Sequence, residues 1–156
     1  MNNPESLVPV SSLYPGDLVL SDEKVGFYVA ELERIGRIKP IVIAALSERR
    51  VVRDGNHRMR AFIEFHRRQG GEIPDVPAVT KSLDANTPVD RYLARRWADF
   101  IDYYGCGAEA FLHMNIGPFA TFDERRAAAD AAIRDWKMRG KPNDDPIRNK
   151  SADNDR

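Results

Sequence analysis

Residues 51–61 read VVRDGNHRMRA, and this stretch decides the local architecture on which the rest of the chain depends. Two β-branched valines lead into Asp54-Gly55, a pair typical of tight turns. Apolar side chains then recur at helical spacing from Met59 onward, so the stretch predicts a strand, a turn and a helix N-terminus. Asp54 or Asn56 is expected to cap that helix, and Gly55 permits a left-handed backbone.

The helix N-terminus that follows this turn indicates an anion site. Its unpaired N–H groups and partial positive charge suit a phosphate. His57, Arg58 and Arg60 add hydrogen-bond donors and positive charge, although that end of a helix is normally stabilised by acids. The alternative is a solvated turn in which the arginines pair with Asp54 or Glu64.

Three short motifs of this chain resemble those of the ParB/sulfiredoxin superfamily, which includes the ParB-like nuclease domains. Residues 55–58 (GNHR), with Ala61 three positions further on, are similar to the Gly-Glu-Arg-Arg-x-x-Ala motif of ParB proteins and the Gly-Cys-His-Arg motif of sulfiredoxins. Residues 36–43 (GRIKPIVI) resemble the Gly-x-x-x-Pro-Ile-x-Val box that precedes this motif in ParB domains. Residues 8–15 resemble the opening of such domains, so the likeness covers Ser6 to about Thr80.

The resemblance implies a site for the phosphates of a nucleoside triphosphate, ATP or CTP, with or without Mg²⁺. Sulfiredoxins have their catalytic cysteine where this chain has Asn56, and an amide cannot replace a thiolate nucleophile, so sulfiredoxin activity is not expected. ParB proteins have a glutamate there, and Asn56 would be a weaker base and a poorer magnesium ligand. By the resemblance, the phosphate-binding residues are Gly55, Asn56, His57 and Arg58, with Lys39 and Pro40 from the upstream box.

Three residues are candidates for catalysis, although binding is better supported by the sequence than turnover. His57 can donate to a phosphate or act as a general acid near neutral pH. Asp54 adjoins the motif, and Glu33 lies with Glu31 on the helix that leads into the upstream box. The sequence leaves the choice among these carboxylates open and assigns no metal ligand.

The charge balance bears on a second function, nucleic-acid binding. The 156 residues include 24 basic and 24 acidic side chains, so the chain as a whole has no attraction for polyanions. A DNA-binding or DNase function would therefore need a local basic patch. The arginines available for it are Arg49, Arg50, Arg60, Arg67 and Arg68, and a solvated face flanked by acids is an equally good interpretation of them.

The single cysteine and the length of the apolar runs indicate the cellular compartment. Cys106 cannot form an internal disulfide, and it lies between two glycines. No apolar run approaches the length of a membrane span, and the N-terminus does not resemble a signal peptide. We therefore expect a cytoplasmic protein that is not associated with a membrane.

The order of the predicted elements is typical of an α+β fold, in which helices pack on a small mixed sheet. We expect a ParB/sulfiredoxin-like domain over residues 1–82, a helical extension packed on it over 83–140, and a disordered tail over 141–156. The N-terminal elements expected are a strand over Leu7–Leu13, a helix from Ser21 or Asp22 to Ile35, a strand over Pro40–Leu46 and an edge strand over Ile73–Thr80.

The helical extension is expected to contain a helix over Pro88–Tyr104, a short helix around Ala108–Met114 and a last helix from Thr121 to Arg139. Thr121-x-x-Glu124 is a capping box, which marks the start of the last helix. The apolar side chains expected to face the core from the first of these helices are Val89, Leu93, Trp97, Phe100, Ile101 and Tyr104.

Three functional hypotheses follow. The first is a nucleotide-binding ParB-like domain of a plasmid, phage or chromosome-partition system, with NTPase or phosphotransferase activity left open. The second is a DNA-binding protein or nuclease, although no helix-turn-helix pattern is recognisable. The third is a non-enzymatic interaction module with a vestigial pocket, whose helical half binds a protein partner or a second copy of the chain.

Overall fold

A mixed β-sheet forms the centre of the computed structural model, which describes residues 4–141. Its strands are β1 (Glu5–Val8), β2 (Leu13–Tyr14), β4 (Ile41–Leu46), β5 (Arg49–Asp54) and β6 (Val76–Thr80), and a separate parallel pair is formed by β3 (Val19–Ser21) and β7 (Asn115–Gly117). The sheet order is β1-β6-β4-β5-β2. Pairs β1/β6 and β4/β5 are antiparallel, whereas β4/β6 and β2/β5 are parallel. The expected α+β class with a mixed sheet is confirmed.

The β4–β5 hairpin delivers the chain to the turn at Gly55. Ser47 and Glu48 connect the two strands, and both have positive φ angles, of 49° and 69°. Such a two-residue connection matches the right-handed twist of the flanking strands. Val51 and Val52 are fully buried, so the strand is anchored immediately before it reaches the turn.

Two predictions about the edges of the sheet are wrong. The strand expected over Leu7–Leu13 is divided by a turn of 3-10 helix at Val10–Ser12, so that β1 and β2 lie on opposite edges. β6 is not an edge strand, because β1 covers it along Val76–Val79. Pro77 lies opposite Leu7 in that pairing, and it has no N–H group to donate to β1.

Two helices pack beside the sheet and start close to the Gly55 turn. The first, α1 (Asp22–Ile35), begins at Ser21, whose side chain accepts a hydrogen bond from the Lys24 N–H, and ends at Gly36 in a left-handed conformation. The second, α2 (Asn56–Gln69), follows Gly55 directly. Both were expected at these positions, and their bounds agree with the sequence signals.

The remaining helices are α3 (Pro88–Tyr104), α4 (Ala108–Leu112) and α5 (Phe122–Met138), as predicted within a few residues. The capping box of α5 is formed in both directions between Thr121 and Glu124. Val89 is 62% exposed, so its expected inward orientation is wrong. Val89 lies in the first turn of α3, and the first fully buried apolar side chain of this helix is Trp97.

The helical half of the chain, α3 to α5, packs against the N-terminal half. Trp97 Nε1 donates to the Gly16 carbonyl at 3.2 Å, and the Tyr104 hydroxyl donates to the Leu18 carbonyl at 2.9 Å. β7, which the sequence pattern does not reveal, pairs with β3 from the N-terminal half. Buried apolar residues of both halves form one cluster, so the division at residue 82 does not separate two cores.

Two further expectations concern the ends of the chain and its surroundings. The predicted disordered tail lies, beyond residue 141, outside the described residues. Within residues 4–141, no helix has the length and apolar character needed to cross a bilayer. Cys106 is exposed between α3 and α4, as a loop residue would be.

Candidate functional site

A cavity of about 680 Å³ opens where the first turns of α1, α2 and α5 approach one another. We call it the three-helix cavity. Polar and charged side chains make up most of its wall, and three aromatic rings join them. Its lining residues are Asp17, Ser21, Glu23, Lys24, Phe27, Tyr28, Arg53, Asp54, Gly55, Asn56, His57, Arg58, Ala120, Phe122 and Arg125.

The N-terminus of α2 is not capped by a side chain, and its first turn contains no acid. Gly55 occupies the N-cap position with φ at 104°, and the first intrahelical bond joins the Met59 N–H to the Gly55 carbonyl at 2.8 Å. The prediction that Asp54 or Asn56 caps this helix is wrong. The cap position falls on Gly55, which has no side chain to offer, so the leading N–H groups face the three-helix cavity without a capping acceptor.

Asn56 is turned toward the protein interior. Its Oδ1 accepts from the Gly16 N–H at 3.0 Å, and its Nδ2 donates to the Val52 carbonyl at 3.1 Å. The residue is buried, although its surface still borders the cavity. Both ends of the amide already bond backbone groups, which argues against the expected role of this side chain in holding phosphate.

His57 is neutral and acts as an acceptor. Its Nε2 accepts from the Ser21 N–H at 3.1 Å, which places the ring proton on Nδ1. Burial and, to a smaller extent, the nearby charges of Arg125 and Lys24 together lower the pKa of His57 to about 4. A pKa near 4 leaves the ring without an extra proton to give at neutral pH, which argues against the expected general acid.

Arg58 folds back over the turn. Its Nη1 donates to the Pro40 carbonyl at 2.8 Å and to the Lys39 carbonyl at 3.4 Å, and its Nη2 lies 3.7 Å from Asp54 Oδ2. A Cβ added at Gly55 would meet this guanidinium at 3.1 Å, so Arg58 lies against the bend and borders the three-helix cavity. Lys39 and Pro40 do not line the cavity, and their carbonyls accept hydrogen bonds from Arg58.

The carboxylates at the site differ from those expected. Asp54 lines the cavity and is largely exposed, whereas Glu33 lies in a separate depression on the other side of α1. Glu33 was expected near the turn, but it follows the cavity-lining residues of α1 by more than a helical turn. Asp17, which the sequence did not single out, lines the cavity, and burial raises its pKa.

Among the arginines expected to bind DNA, Arg60 is committed to the fold, whereas the other four remain exposed: Arg49, Arg50, Arg67 and Arg68. Arg60 Nη1 donates to the carbonyls of Phe111, Leu112 and Met114, and its Nε donates to Glu64. Arg67 pairs with Glu109, Arg68 lies 3.8 Å from Glu64, and Arg50 donates to the Ser12 hydroxyl. The alternative noted for the motif turn was that its arginines pair with Asp54 or Glu64, and the structure has both pairings, Arg58 with Asp54 at 3.7 Å and Arg60 with Glu64 at 2.7 Å.

Several residues at the cavity were missed by sequence reasoning. Lys24 and Phe27 belong to α1, while Phe122 and Arg125 belong to the first turn of α5. The sequence does show Phe27 and Phe122 as aromatic residues near the starts of predicted helices. Nothing in the pattern indicates that these helix starts converge.

No family model matches this chain, and no curated protein matches it either. Among residues 4–141, no group of three or more histidine, cysteine, aspartate or glutamate side chains is arranged to hold a metal ion.

Proposed function

We propose that this protein binds the phosphates of a nucleoside triphosphate in the three-helix cavity, as a domain of the ParB/sulfiredoxin type. The observation that carries the proposal is the uncapped N-terminus of α2, which opens into that cavity beside Arg58. Free backbone N–H groups and the helix dipole favour an anion there. The Gly55-Asn56-His57-Arg58 resemblance points to the same turn.

The charges around the cavity support an anionic ligand. Lys24, Arg58 and Arg125 contribute positive charge to the wall, although the Arg58 guanidinium also donates to the Pro40 carbonyl. Three acids line the cavity: Asp54 lies close to Arg58, the raised pKa of Asp17 disfavours its charged form, and Glu23 is exposed. The wall is therefore more favourable to a phosphate than a simple count of acids and bases indicates.

The dimensions of the cavity fit a nucleotide. Its volume of about 680 Å³ lies within the range of roughly 300–1,000 Å³ that is usual for small-molecule sites. Arg53 borders the cavity as well, but its Nη2 bonds Asp90 Oδ1 at 2.8 Å, so we assign it to the framework. Its role is to join β5 to α3.

The proposal concerns binding rather than turnover. Asn56 is engaged with Gly16 and Val52, and His57 is neutral with Nε2 occupied. Neither side chain is placed to activate water or to donate a proton at neutral pH. Hydrolysis or phosphate transfer would fall to Asp54 or Asp17, the two aspartates at the cavity.

A calorimetric titration of the full chain with ATP and CTP, with and without Mg²⁺, tests the proposal. Lys24→Glu reverses a charge at an exposed cavity residue, and we expect it to raise the Kd about tenfold, since a charged contact contributes roughly 1.5 kcal/mol. Lys39→Glu is the matched control, because Lys39 is exposed and does not line the cavity.

Two results would contradict the proposal. The first is the absence of a binding isotherm for either nucleotide with the wild-type chain at millimolar concentration. The second is an equal loss of affinity in Lys24→Glu and Lys39→Glu, which would show that the loss follows the change in net charge and not a contact in the three-helix cavity.

A further inference from the structure

Arg125 is the one buried arginine among residues 4–141, with 7% of its surface exposed. It lies one turn into α5, and its surface borders the three-helix cavity. Its Nη1 donates to the carbonyls of Phe119 and Ala120, at 3.0 and 3.2 Å. These two bonds fix the side chain against the loop that precedes α5.

Arg125 forms no ion pair with a carboxylate in the described part of the chain, and the nearby Asp17, on whose pKa it acts, has its charged form disfavoured by burial. Its Nε is buried without an acceptor, and no ion pair joins it to an acid within residues 4–141. By contrast, Arg53 pairs with Asp90, and Arg96 pairs with Asp130. A buried guanidinium without a counter-charge is costly, and an anion that enters the cavity would remove that cost.

The positive charge of Arg125 reaches the interior of the cavity. It lowers the pKa of His57 and opposes the burial that raises the pKa of Asp17. Both of these residues line the three-helix cavity, so Arg125 acts on the cavity from the side of α5. The N-terminus of α2 acts on it from the side of the motif.

The same turn of α5 presents an aromatic ring. Phe122 is 62% exposed and Phe27 is 60% exposed, and both border the cavity. Large exposed aromatic rings beside a cationic wall suit a planar base, which stacks on such rings whatever its identity. An inorganic polyphosphate would gain nothing from them.

We propose that the first turn of α5 completes the ligand site, with Arg125 binding a phosphate group and Phe122 stacking on the base of a nucleoside triphosphate. This inference rests on the proposed function and deepens it, because it names the ligand as a nucleotide and not as a bare polyphosphate. It also assigns binding residues to the helical half, outside the motif that prompted the proposed function.

The experiment measures the Kd of the full chain for ATP and for inorganic tripolyphosphate. Arg125→Met removes the charge, and we expect the Kd for both ligands to rise tenfold or more. Arg126→Met is the matched control, since the neighbouring Arg126 is half-exposed and does not line the cavity. Near-UV circular dichroism confirms that each variant is folded.

Phe122→Ala separates the base from the phosphates. We expect it to raise the Kd for ATP about tenfold and to leave the Kd for tripolyphosphate unchanged. Val89→Ala is its control, because Val89 is also 62% exposed in the first turn of a helix and does not line the cavity.

The outcomes separate this inference from the proposed function. If the wild type binds ATP and folded Arg125→Met binds it equally well, the inference is overturned while the proposed function stands. If the wild type binds neither ATP nor tripolyphosphate, both are overturned. Should Arg125→Met not fold, Arg125→Lys decides: a Kd for ATP raised at least threefold over Arg126→Lys supports the inference, and an unchanged Kd overturns it.

Discussion

The N-termini of α2 and α5 border the same cavity and are built in opposite ways. In α5, Thr121 and Glu124 bond each other's backbone, and Asp123 adds a second acid to the first turn. In α2, the cap position is a glycine, and the first turn carries His57 and Arg58 in place of acids. The α5 terminus is stabilised by its own side chains, whereas the α2 terminus is left to be stabilised from outside the helix.

The difference teaches how the fold keeps the α2 terminus in place without a cap. Asn56 bonds Gly16 and Val52, His57 bonds the Ser21 N–H, and Arg58 bonds the Pro40 carbonyl. Three consecutive side chains therefore attach the helix to four other places in the chain, and none of them satisfies the helix's own N–H groups. The side chains of residues 56–58 hold the helix in place, and its backbone N–H groups remain available to a ligand.

The largest effect is expected from breaking this external support. Asn56→Ala removes two buried hydrogen bonds and leaves the Gly16 N–H without its acceptor, so we expect the free energy of unfolding to fall by about 2–4 kcal/mol. Chemical denaturation measures it. Asn86→Ala is the control, because Asn86 is exposed, and it should change the value by less than about 0.5 kcal/mol. Equal values for the two variants would show that Asn56 supports nothing.

A smaller effect is expected from removing the cap of α5. Thr121→Ala should lower the free energy of unfolding by about 1 kcal/mol, the usual contribution of a threonine cap. Since Thr121 does not line the three-helix cavity, the Kd for ATP should stay within about twofold of the wild-type value. A Kd that rises in proportion to the lost stability would show that the two termini are not independent.

The smallest effect concerns pH. His57 has a pKa of about 4 in the fold and near 6.5 when unfolded, so the unfolded chain takes up a proton first as the pH falls. Stability from the neutral ring is fully present above pH 6.5 and is lost between about pH 6.5 and 4. With partial exposure discounted, we expect a loss on the order of 1 kcal/mol.

The measurement compares the wild type with His57→Gln at pH 7 and pH 5. The glutamine can still accept from the Ser21 N–H but does not titrate, so the loss between the two pH values should be smaller in the variant. Asp17 has a raised pKa and works in the opposite direction, because its folded state favours the proton, and it is common to both chains. Identical pH dependence in the two chains would show that His57 does not titrate as described.

Much of the local structure was predictable because its causes are local. Ser21 and Gly36 set the bounds of α1, Thr121 and Glu124 set the start of α5, and Asp54-Gly55 set the turn between β5 and α2. In each case, a side chain or a backbone preference acts within a few residues. In α3, periodicity also identified Trp97, Phe100 and Tyr104 as core side chains.

The rest depends on which segments meet, and no local pattern records this. The inward orientation of Asn56 requires Gly16, and the exclusion of Glu33 from the site requires the actual path of α1. Arg125 belongs to a helix that sequence reasoning treated as an extension, and it reaches the cavity because α5 packs near β3. The motif could therefore be located from the sequence, while half of its surroundings could not.

The β3–β7 pairing has a practical consequence for anyone who wishes to produce the N-terminal half alone. Ser21 lies opposite Gly117 in that pairing, and the same Ser21 begins α1 and donates to His57. A truncation at residue 82 would remove β7, the partner of β3, and would expose the apolar side chains of the N-terminal half that Trp97 and Tyr104 cover. We expect such a fragment to precipitate on expression.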